Sequence, residues 1–83
     1  MYYVYILECA DTTLYVGSTP DVEKRLHQHN NLKSAAHYTK IRRPVVLKYK
    51  EVVDTYSDAR RREATLKRLT KDKKLALIHE AKQ

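Results

Sequence analysis

The sequence predicts an α+β domain in which a small three-stranded antiparallel sheet is covered by helices, in the order β-β-α-β-α-α. Two short segments rich in β-branched and aromatic residues flank a polar break of hairpin length, which indicates a β-hairpin. A third such segment lies later in the chain, among stretches with helix starts and helical apolar spacing. The 83 residues suffice for one domain, predicted over 1–80, and not for two.

The first two strands are predicted at Tyr2–Glu8 and 14–18. If they pair, Tyr5 and Tyr15 reach one surface beside the backbone of Gly17, which is the only glycine in the chain. A lone glycine indicates a place where the backbone must approach another group closely. Ordinary cross-strand packing is the alternative explanation for the two tyrosines.

The first helix is predicted to follow the hairpin directly. Thr19 is expected at the N-cap, with Pro20 in the first helical position, and the helix is expected to end near Asn30. The segment 31–44 that follows is predicted to be irregular and basic.

The third strand is predicted at 45–53. Its alternation places Val45, Leu47 and Tyr49 on one face of the sheet. Two more helices are expected after this strand. Each of them is predicted to begin at a hydroxyl side chain that can cap it.

Ser57 is predicted to cap the second helix, over 58–69. Thr70 is predicted to open the third helix, which should use Leu75 and Ile78 for packing.

The chain is strongly basic. It has 17 Lys and Arg residues against 10 Asp and Glu, a formal net charge of +7. Such an excess on so small a domain indicates a polyanionic partner, with nucleic acid first and an anionic membrane second, while solubility alone is the alternative. No apolar run reaches the roughly 18 residues that span a bilayer, so no membrane segment is expected.

The sequence favours a cytoplasmic location. It opens directly in a predicted strand and lacks the basic and apolar segments of a signal peptide. Its single cysteine, Cys9, cannot form an internal disulfide, which suits a reducing compartment. We expect Cys9 to be a small packing residue.

Two tripeptides carry a family resemblance. Tyr3-Val4-Tyr5 and Tyr15-Val16-Gly17 resemble the pair that names the GIY-YIG nuclease superfamily. The opening residues 2–9 and the segments 42–45 and 62–64 are similar to its small single-domain, UPF0213-like branch. The resemblance covers about residues 2–77 and implies the GIY-YIG fold.

The sequence departs from the family pattern in three places. Tyr3 stands where the superfamily name has glycine, and Ser18 stands where several larger members carry lysine. The late-helix asparagine of those members has no counterpart after Asn31. The resemblance therefore does not extend to the secondary polar contacts of the larger enzymes, nor does it imply efficient cutting by the isolated domain.

Arg25 and His29 are four positions apart on the predicted first helix and share a face. Arg25 follows Tyr15 by ten positions, the spacing of the family's phosphate-contacting arginine, and His29 matches a second site position of the family. A guanidinium offers phosphate oxygens a planar fork of donors. The alternative is a surface arginine and a histidine that stabilises the end of the helix.

Glu63 matches the family's single metal-binding glutamate. It shares a helical stripe with Ala59 and Leu66, which indicates an inward position that is costly for an unpaired carboxylate. The resemblance implies that Glu63 holds one Mg²⁺ or Mn²⁺, with water and substrate phosphate completing the coordination. A salt bridge to one of the flanking arginines, 60–62, is the alternative.

The basic segment is the predicted nucleic-acid interface. Its cations would contact phosphates without sequence preference, and Tyr38 lies among them as a base-stacking residue would. The full predicted set is Gly17, Lys33, His37, Tyr38, Lys40, Arg42 and Arg43.

The resemblance implies a metal-dependent endonuclease that hydrolyses DNA phosphodiester bonds, in DNA repair or the processing of structured DNA. Tyr15 would activate the attacking water, directly or through a hydroxide on the metal, and Tyr5 would hold the nucleophile or the metal shell. Arg25 would bind the scissile phosphate, His29 would assist proton movement or phosphate contact, and Glu63 would hold the ion.

Two alternatives remain from the sequence. In the first, the chain is a nucleic-acid-binding module without turnover, and a partner protein supplies targeting or cutting. In the second, it is a structural or protein-interaction domain, which leaves the charge excess unexplained. The expected partner is duplex or branched DNA, and no membrane partner is expected. Nicking separates the enzyme from the module, and DNA binding separates the module from the interaction domain.

Overall fold

The computed structural model describes residues 1–33 and 36–81. Three strands form one antiparallel sheet in the order β2-β1-β3. They are β1 (Tyr2–Glu8), β2 (Leu14–Thr19) and β3 (Val46–Val53). Four helices complete the fold: α1 (Val22–Asn31), α2 (His37–Lys40), α3 (Tyr56–Arg68) and α4 (Lys71–Ala81). The predicted α+β class and element order are confirmed, with the short α2 as an addition.

The two faces of the sheet pack against different helices. On one face Val4, Ile6 and Val16 pack with side chains of α3 and α4, namely Ala59, Leu66 and Ile78. On the other face Tyr5, Leu7, Cys9 and Val45 form a second cluster, against which Leu26 of α1 and Tyr38 of α2 pack. Alternation along β1 divides the two sets, since neighbouring side chains of a strand point to opposite faces. Cys9 is buried, as predicted for a packing residue.

The first helix begins later than predicted. Its N-cap is Asp21, whose carboxylate accepts a hydrogen bond from the Lys24 backbone N–H at 3.1 Å. Thr19 ends β2 instead, and its hydroxyl accepts a hydrogen bond from the Asp21 N–H at 3.1 Å. Thr19 and Pro20 therefore form the turn ahead of the helix. The cap prediction for Thr19 was wrong because the chain turns for two more residues before its backbone becomes helical.

The basic segment is not wholly irregular, because α2 lies within it. The prediction for 31–44 is corrected to this extent, and positions 34–35 lie outside the described residues. The cap of the second predicted helix also differs. Thr55 is the N-cap of α3 and accepts from the Asp58 N–H at 3.1 Å, so Ser57 lies inside the first turn.

A β-bulge corrects the predicted faces of the third strand. Tyr49 pairs with Ile6 and Leu47 with Leu7, so one extra residue of β3 lies between these pairs. Leu47 and Val45 therefore face the Tyr5 cluster, whereas Tyr49 packs on the other side of the sheet.

The start of the last helix agrees with the prediction. The Thr70 hydroxyl accepts from the Lys73 N–H at 3.3 Å, ahead of α4. Ile78 is buried as expected, but Leu75 is 38% exposed and Leu77 packs on the core in its place. None of the described helices is long and apolar enough to cross a membrane.

Candidate active site

Strand pairing brings the two tyrosines to one face of the sheet. Tyr5 lies opposite Gly17, and Leu7 lies opposite Tyr15, so Tyr5, Tyr15 and Gly17 share a face. A Cβ atom at Gly17 would collide with the Tyr5 hydroxyl and ring. The close approach predicted from the lone glycine therefore exists, and its partner is the Tyr5 side chain.

His29 joins the tyrosines from α1. It is fully buried, and its Nε2 lies 2.9 Å from the Tyr5 hydroxyl. Its Nδ1 lies 2.7 Å from the hydroxyl of Thr39 in α2. The Tyr15 ring meets the imidazole edge-on, with ring centroids 5.3 Å apart. The predicted pair of tyrosines and His29 thus form one contiguous group.

Burial keeps both Tyr5 and His29 neutral. It raises the pKa of Tyr5 to about 12, with the Arg25 side chain opposing part of the rise and the Tyr15 and Glu63 charges adding to it. Burial lowers the pKa of His29 to about 4, and the positive charges of Arg25 and Arg43 contribute further. At neutral pH the pair is therefore a phenol beside an uncharged imidazole.

Tyr15 is the more accessible of the two tyrosines. Its ring is half-buried and stacks on that of Tyr38, with centroids 5.8 Å apart and planes inclined by 27°. The guanidinium of Arg42 lies 3.9 Å from the centroid of the Tyr38 ring. Tyr38 therefore already contacts an aromatic ring and a cation within the protein.

Arg25 lies beside this group on α1. Its Nη1 donates to the Gln28 side chain at 2.9 Å, and the residue is half-buried. It is one helical turn before His29 and shares a helix face with it, and its positive charge lowers the pKa of both Tyr5 and His29. The structure thus places Arg25 on the same side of the sheet as Tyr5 and His29.

Glu63 approaches the edge of the sheet from α3. Its Oε1 accepts a hydrogen bond from the Ser18 hydroxyl at 2.6 Å, and its Oε2 lies 2.8 Å from the Lys67 ammonium. Burial would raise the pKa of Glu63, but Lys67 and Ser18 outweigh it and hold the pKa below its usual range. The ion-pair partner is thus Lys67, whereas the sequence alternative had named a flanking arginine.

Glu63 lies on the α3 side of the sheet. Ser18, its partner, follows Gly17 and so points away from the tyrosine face. The Glu63 charge still contributes to the pKa of Tyr5. The two parts of the candidate site therefore lie on opposite faces of the sheet, and Gly17 and Ser18 of β2 are adjacent residues that belong one to each part.

The donor set can be tested against a divalent cation. Among residues 1–33 and 36–81, no three His, Cys, Asp or Glu side chains are grouped so that they could hold a metal ion. Mg²⁺ is often held by one or two carboxylates, with water and substrate phosphate supplying the other oxygens. The half-buried Glu63 carboxylate, next to the Ser18 hydroxyl, fits such a site. Lys67 must leave Oε2 before a cation can bind there.

The cations of the basic segment differ in how far they are engaged by the protein. Arg43 donates to three carbonyl groups at the end of α1, those of Gln28, His29 and Leu32. Arg42 donates to Asp11 at 3.0 Å and to the Tyr38 carbonyl at 3.0 Å.

The remaining basic residues of this segment are exposed. They are Lys33, His37 and Lys40. The Lys40 ammonium donates to the Lys33 carbonyl at 3.2 Å, which uses one of its three protons.

Three contacts of the site were not predicted from the sequence. Lys67 is four residues after Glu63 in the same helix, so the spacing typical of helical ion pairs could have revealed it. Ser18 was noted only as a departure from the family. Thr39 gave no signal, because it lies in a segment predicted to be irregular.

This arrangement of paired tripeptides, a helix with arginine and histidine, and a later helix with glutamate defines a small domain of the GIY-YIG type. The GIY-YIG catalytic domain model matches residues 1–76. A UPF0213 protein of Syntrophus aciditrophicus is 54% identical over 76 residues, which cover 92% of this chain and 87% of that protein. UPF0213 protein SSP2268 of Staphylococcus saprophyticus is 51% identical over 79 residues, 95% of each chain. The chain therefore belongs to the GIY-YIG family and, within it, to the UPF0213 proteins.

Two solved structures are similar over nearly the whole chain. The solution NMR structure of UPF0213 protein BH0048 from Bacillus halodurans has a TM-score of 0.59 and 39% identity, and it covers 95% of this chain and 84% of that one. The solution NMR structure of protein EF2693 from E. faecalis has a TM-score of 0.63 and 38% identity, with 99% and 88% covered. Both structures support the α+β fold described above for this chain.

Proposed function

We propose that this protein is a metal-dependent endonuclease that hydrolyses DNA phosphodiester bonds, in DNA repair or the processing of structured DNA. The observation that carries the proposal is the convergence of Tyr5, Tyr15 and His29 with the charge of Arg25 on one face of the sheet. Phosphodiester hydrolysis needs a proton acceptor for water and a donor fork for the phosphate.

Each residue of the site has a distinct part in the proposal. Tyr15, the accessible tyrosine, takes the proton of the attacking water in its phenolate form, which the Arg25 charge and the bound cation would favour. Arg25 also binds the scissile phosphate. His29 is fully buried, so it acts through Tyr5 and does not contact substrate itself. Glu63 would hold one Mg²⁺ or Mn²⁺, which when bound stabilises negative charge on the phosphate.

The test is the nicking of supercoiled, branched and single-stranded DNA in the presence of Mg²⁺, Mn²⁺ or chelator. We expect nicking only with a divalent ion, and its loss in Glu63→Gln, which keeps the shape of the side chain and removes the charge. The matched control is Glu80→Gln, the same change at an exposed position of α4. Metal-dependent nicking that survives in Glu63→Gln would contradict the metal assignment.

The stability of the Glu63→Gln variant is an independent measurement. The Lys67 partner is 53% exposed, so loss of this ion pair should lower the free energy of unfolding by no more than about 1 kcal/mol. The Ser18 hydroxyl can donate to the glutamine oxygen as it does to the carboxylate. A larger loss would assign Glu63 a structural role.

One observation favours a second function, a nucleic-acid-binding module without turnover. Lys67 already neutralises Glu63 from within the protein, and the same anion-binding groups would then serve binding alone. A partner protein would supply targeting or cutting in that case. DNA binding without nicking under any of the ion conditions would select this alternative.

A further inference from the structure

A chain of buried hydrogen bonds continues from the candidate site into α2. The Tyr5 hydroxyl contacts His29 Nε2, and His29 Nδ1 contacts the hydroxyl of Thr39, which like His29 is fully buried. The Thr39 hydroxyl also donates to the Ala36 carbonyl at 3.0 Å. None of the family motifs in the sequence includes Thr39.

The protons of this chain have one arrangement that satisfies every group. If Nδ1 of His29 carries the proton, it donates to Thr39, Thr39 donates to the Ala36 carbonyl, and Tyr5 donates to Nε2. If Nε2 carried the proton, it would donate to Tyr5. The Tyr5 hydroxyl proton would then have no acceptor within hydrogen-bonding distance among the described residues. A buried donor without a partner is costly, so the first arrangement is favoured.

We propose that Thr39 is a positioning residue that holds His29 in the Nδ1–H form and thereby turns the Tyr5 proton toward the protein interior. The Ala36 carbonyl, which also accepts the Lys40 backbone N–H at 3.0 Å, gives the Thr39 proton an acceptor, so the Thr39 oxygen can accept from Nδ1. The role in catalysis rests on the proposed endonuclease function, whereas the direction of the hydrogen bonds does not.

The inward proton determines what Tyr5 can bind. Its oxygen can only accept hydrogen bonds from the site, so it is suited to a group that only donates, such as the Arg25 guanidinium. A phosphate oxygen also only accepts, so Tyr5 is unsuited to contact the scissile phosphate. Through His29, Thr39 therefore limits Tyr5 to accepting a hydrogen bond from a donor in the site. Binding of the scissile phosphate is left to Arg25.

Two variants test this role in the intact protein. Thr39→Val has nearly the same shape and lacks the hydroxyl, whereas Thr39→Ser keeps the hydroxyl. The first measurement is the ¹⁵N NMR spectrum of the His29 ring, which shows which nitrogen is protonated. We expect the Nδ1–H form in the wild type and in Thr39→Ser. In Thr39→Val the buried Nδ1–H loses its acceptor, so we expect a population of the Nε2–H form that the wild type lacks.

The second measurement is the nicking rate. We expect Thr39→Val to lose roughly 10²-fold, the lower part of the range for a lost acid–base contribution, and Thr39→Ser to nick at nearly the wild-type rate. DNA binding should change little in either variant, because Thr39 is buried.

The outcomes separate this inference from the proposed function. An Nε2–H form in the wild type, or an Nδ1–H form that persists unchanged in Thr39→Val, would overturn the role of Thr39 even if the protein is a nuclease. If the NMR spectra show the expected protonated nitrogen of His29 but the protein never nicks DNA, the direction of the hydrogen bonds is supported and the proposed endonuclease function is refuted. If Thr39→Val does not fold, the wild-type and Thr39→Ser spectra still decide which nitrogen carries the proton.

Discussion

Tyr5 and Tyr15 share a face of the sheet but lie in different surroundings. The sequence predicted their convergence, because two strands joined by a short turn must pair and the spacing sets which faces they share. It could not predict that Tyr5 is almost fully buried against Gly17 while Tyr15 stays half-exposed. That difference depends on where α1 and α2 settle on the sheet. Strand spacing contains no information about their position.

The two tyrosine hydroxyls should therefore respond differently to removal. Tyr15→Phe removes a hydroxyl that has no hydrogen-bond partner among the described residues, so stability should change by less than about 0.5 kcal/mol. Nicking should fall roughly 10²-fold or more, as for a lost acid–base group.

Tyr5→Phe leaves His29 Nε2 buried without a donor and should cost about 1–3 kcal/mol of stability. Denaturant unfolding and nicking assays on both variants check this. Wild-type nicking by folded Tyr15→Phe would exclude Tyr15 as the proton acceptor.

His29 should make stability depend on pH. Its pKa is about 4 in the folded protein and 6.5 when unperturbed, so below pH 6.5 the unfolded chain takes up a proton that the folded one does not. The stabilisation is fully present above pH 6.5 and is lost as the pH falls toward 4. Between pH 7.5 and 5 we expect the free energy of unfolding to drop by about 2 kcal/mol.

Denaturant unfolding across this pH range measures the effect of His29. The variant His29→Gln should show a much flatter pH dependence, whereas His79→Gln, at an exposed position of α4, should behave as the wild type. Equal pH dependence in the wild type and His29→Gln would show that His29 is not buried as a neutral imidazole.

At the scale of secondary structure, the sequence predicted the presence of each strand and long helix correctly, but it predicted their first residues less well. Two of the three predicted helix caps were wrong, because several polar side chains precede each helix and any of them can accept from a backbone N–H. Thr55 and Ser57 are two such candidates only two residues apart. The choice depends on the backbone path that leaves β3. The bulge that places Tyr49 and Leu47 on opposite faces of the sheet was likewise not predictable from the sequence. Alternation in the sequence assumes an uninterrupted strand.

The cap of α3 can be tested with a matched pair of alanine variants. Thr55→Ala removes the acceptor of the Asp58 N–H and should lower the free energy of unfolding by about 1 kcal/mol. Ser57→Ala replaces an exposed residue inside the first turn and should change stability little, or raise it slightly through helix propensity. Thermal or denaturant unfolding of both variants gives the comparison. A larger loss in Ser57→Ala than in Thr55→Ala would restore the cap that the sequence suggested.

For the whole molecule, the net charge of +7 indicates a polyanionic partner, but it does not indicate which surface of the protein binds that partner. The sequence assigned this role to the segment 31–44 because its cations are clustered. The structure divides that cluster, since Arg42 and Arg43 donate to protein groups while Lys33 and Lys40 remain exposed. Sequence clustering could not reveal this division, because the acceptors come from Asp11 and from the end of α1.

The dependence of DNA affinity on salt can locate the interface. Each phosphate contact on duplex DNA contributes about −0.9 to the slope of log K against log salt, so four contacts from the basic segment would give about −3.6. If Lys33 and Lys40 supply two of them, the double variant Lys33→Glu/Lys40→Glu should reduce the steepness of the slope by about 1.8 and weaken binding to all sequences alike. Arg42→Glu would be a poor choice, since it would also break the contacts with Asp11 and Tyr38.

The matched control for the salt experiment is Lys71→Glu/Lys73→Glu, which changes the net charge by the same amount. Both lysines are exposed in the first turn of α4, a helix that packs on the face of the sheet opposite to Tyr5. Acidic side chains are favoured there by the helix dipole, so this control should be at least as stable as the wild type.

Fluorescence titrations of a short duplex at several salt concentrations give the slopes of log K against log salt. If the protein binds through the segment beside Tyr15 and Tyr38, the control should keep the wild-type slope while the Lys33 and Lys40 variant loses part of it. Equal losses would mean that the duplex responds to net charge alone and that this segment has no special part in binding.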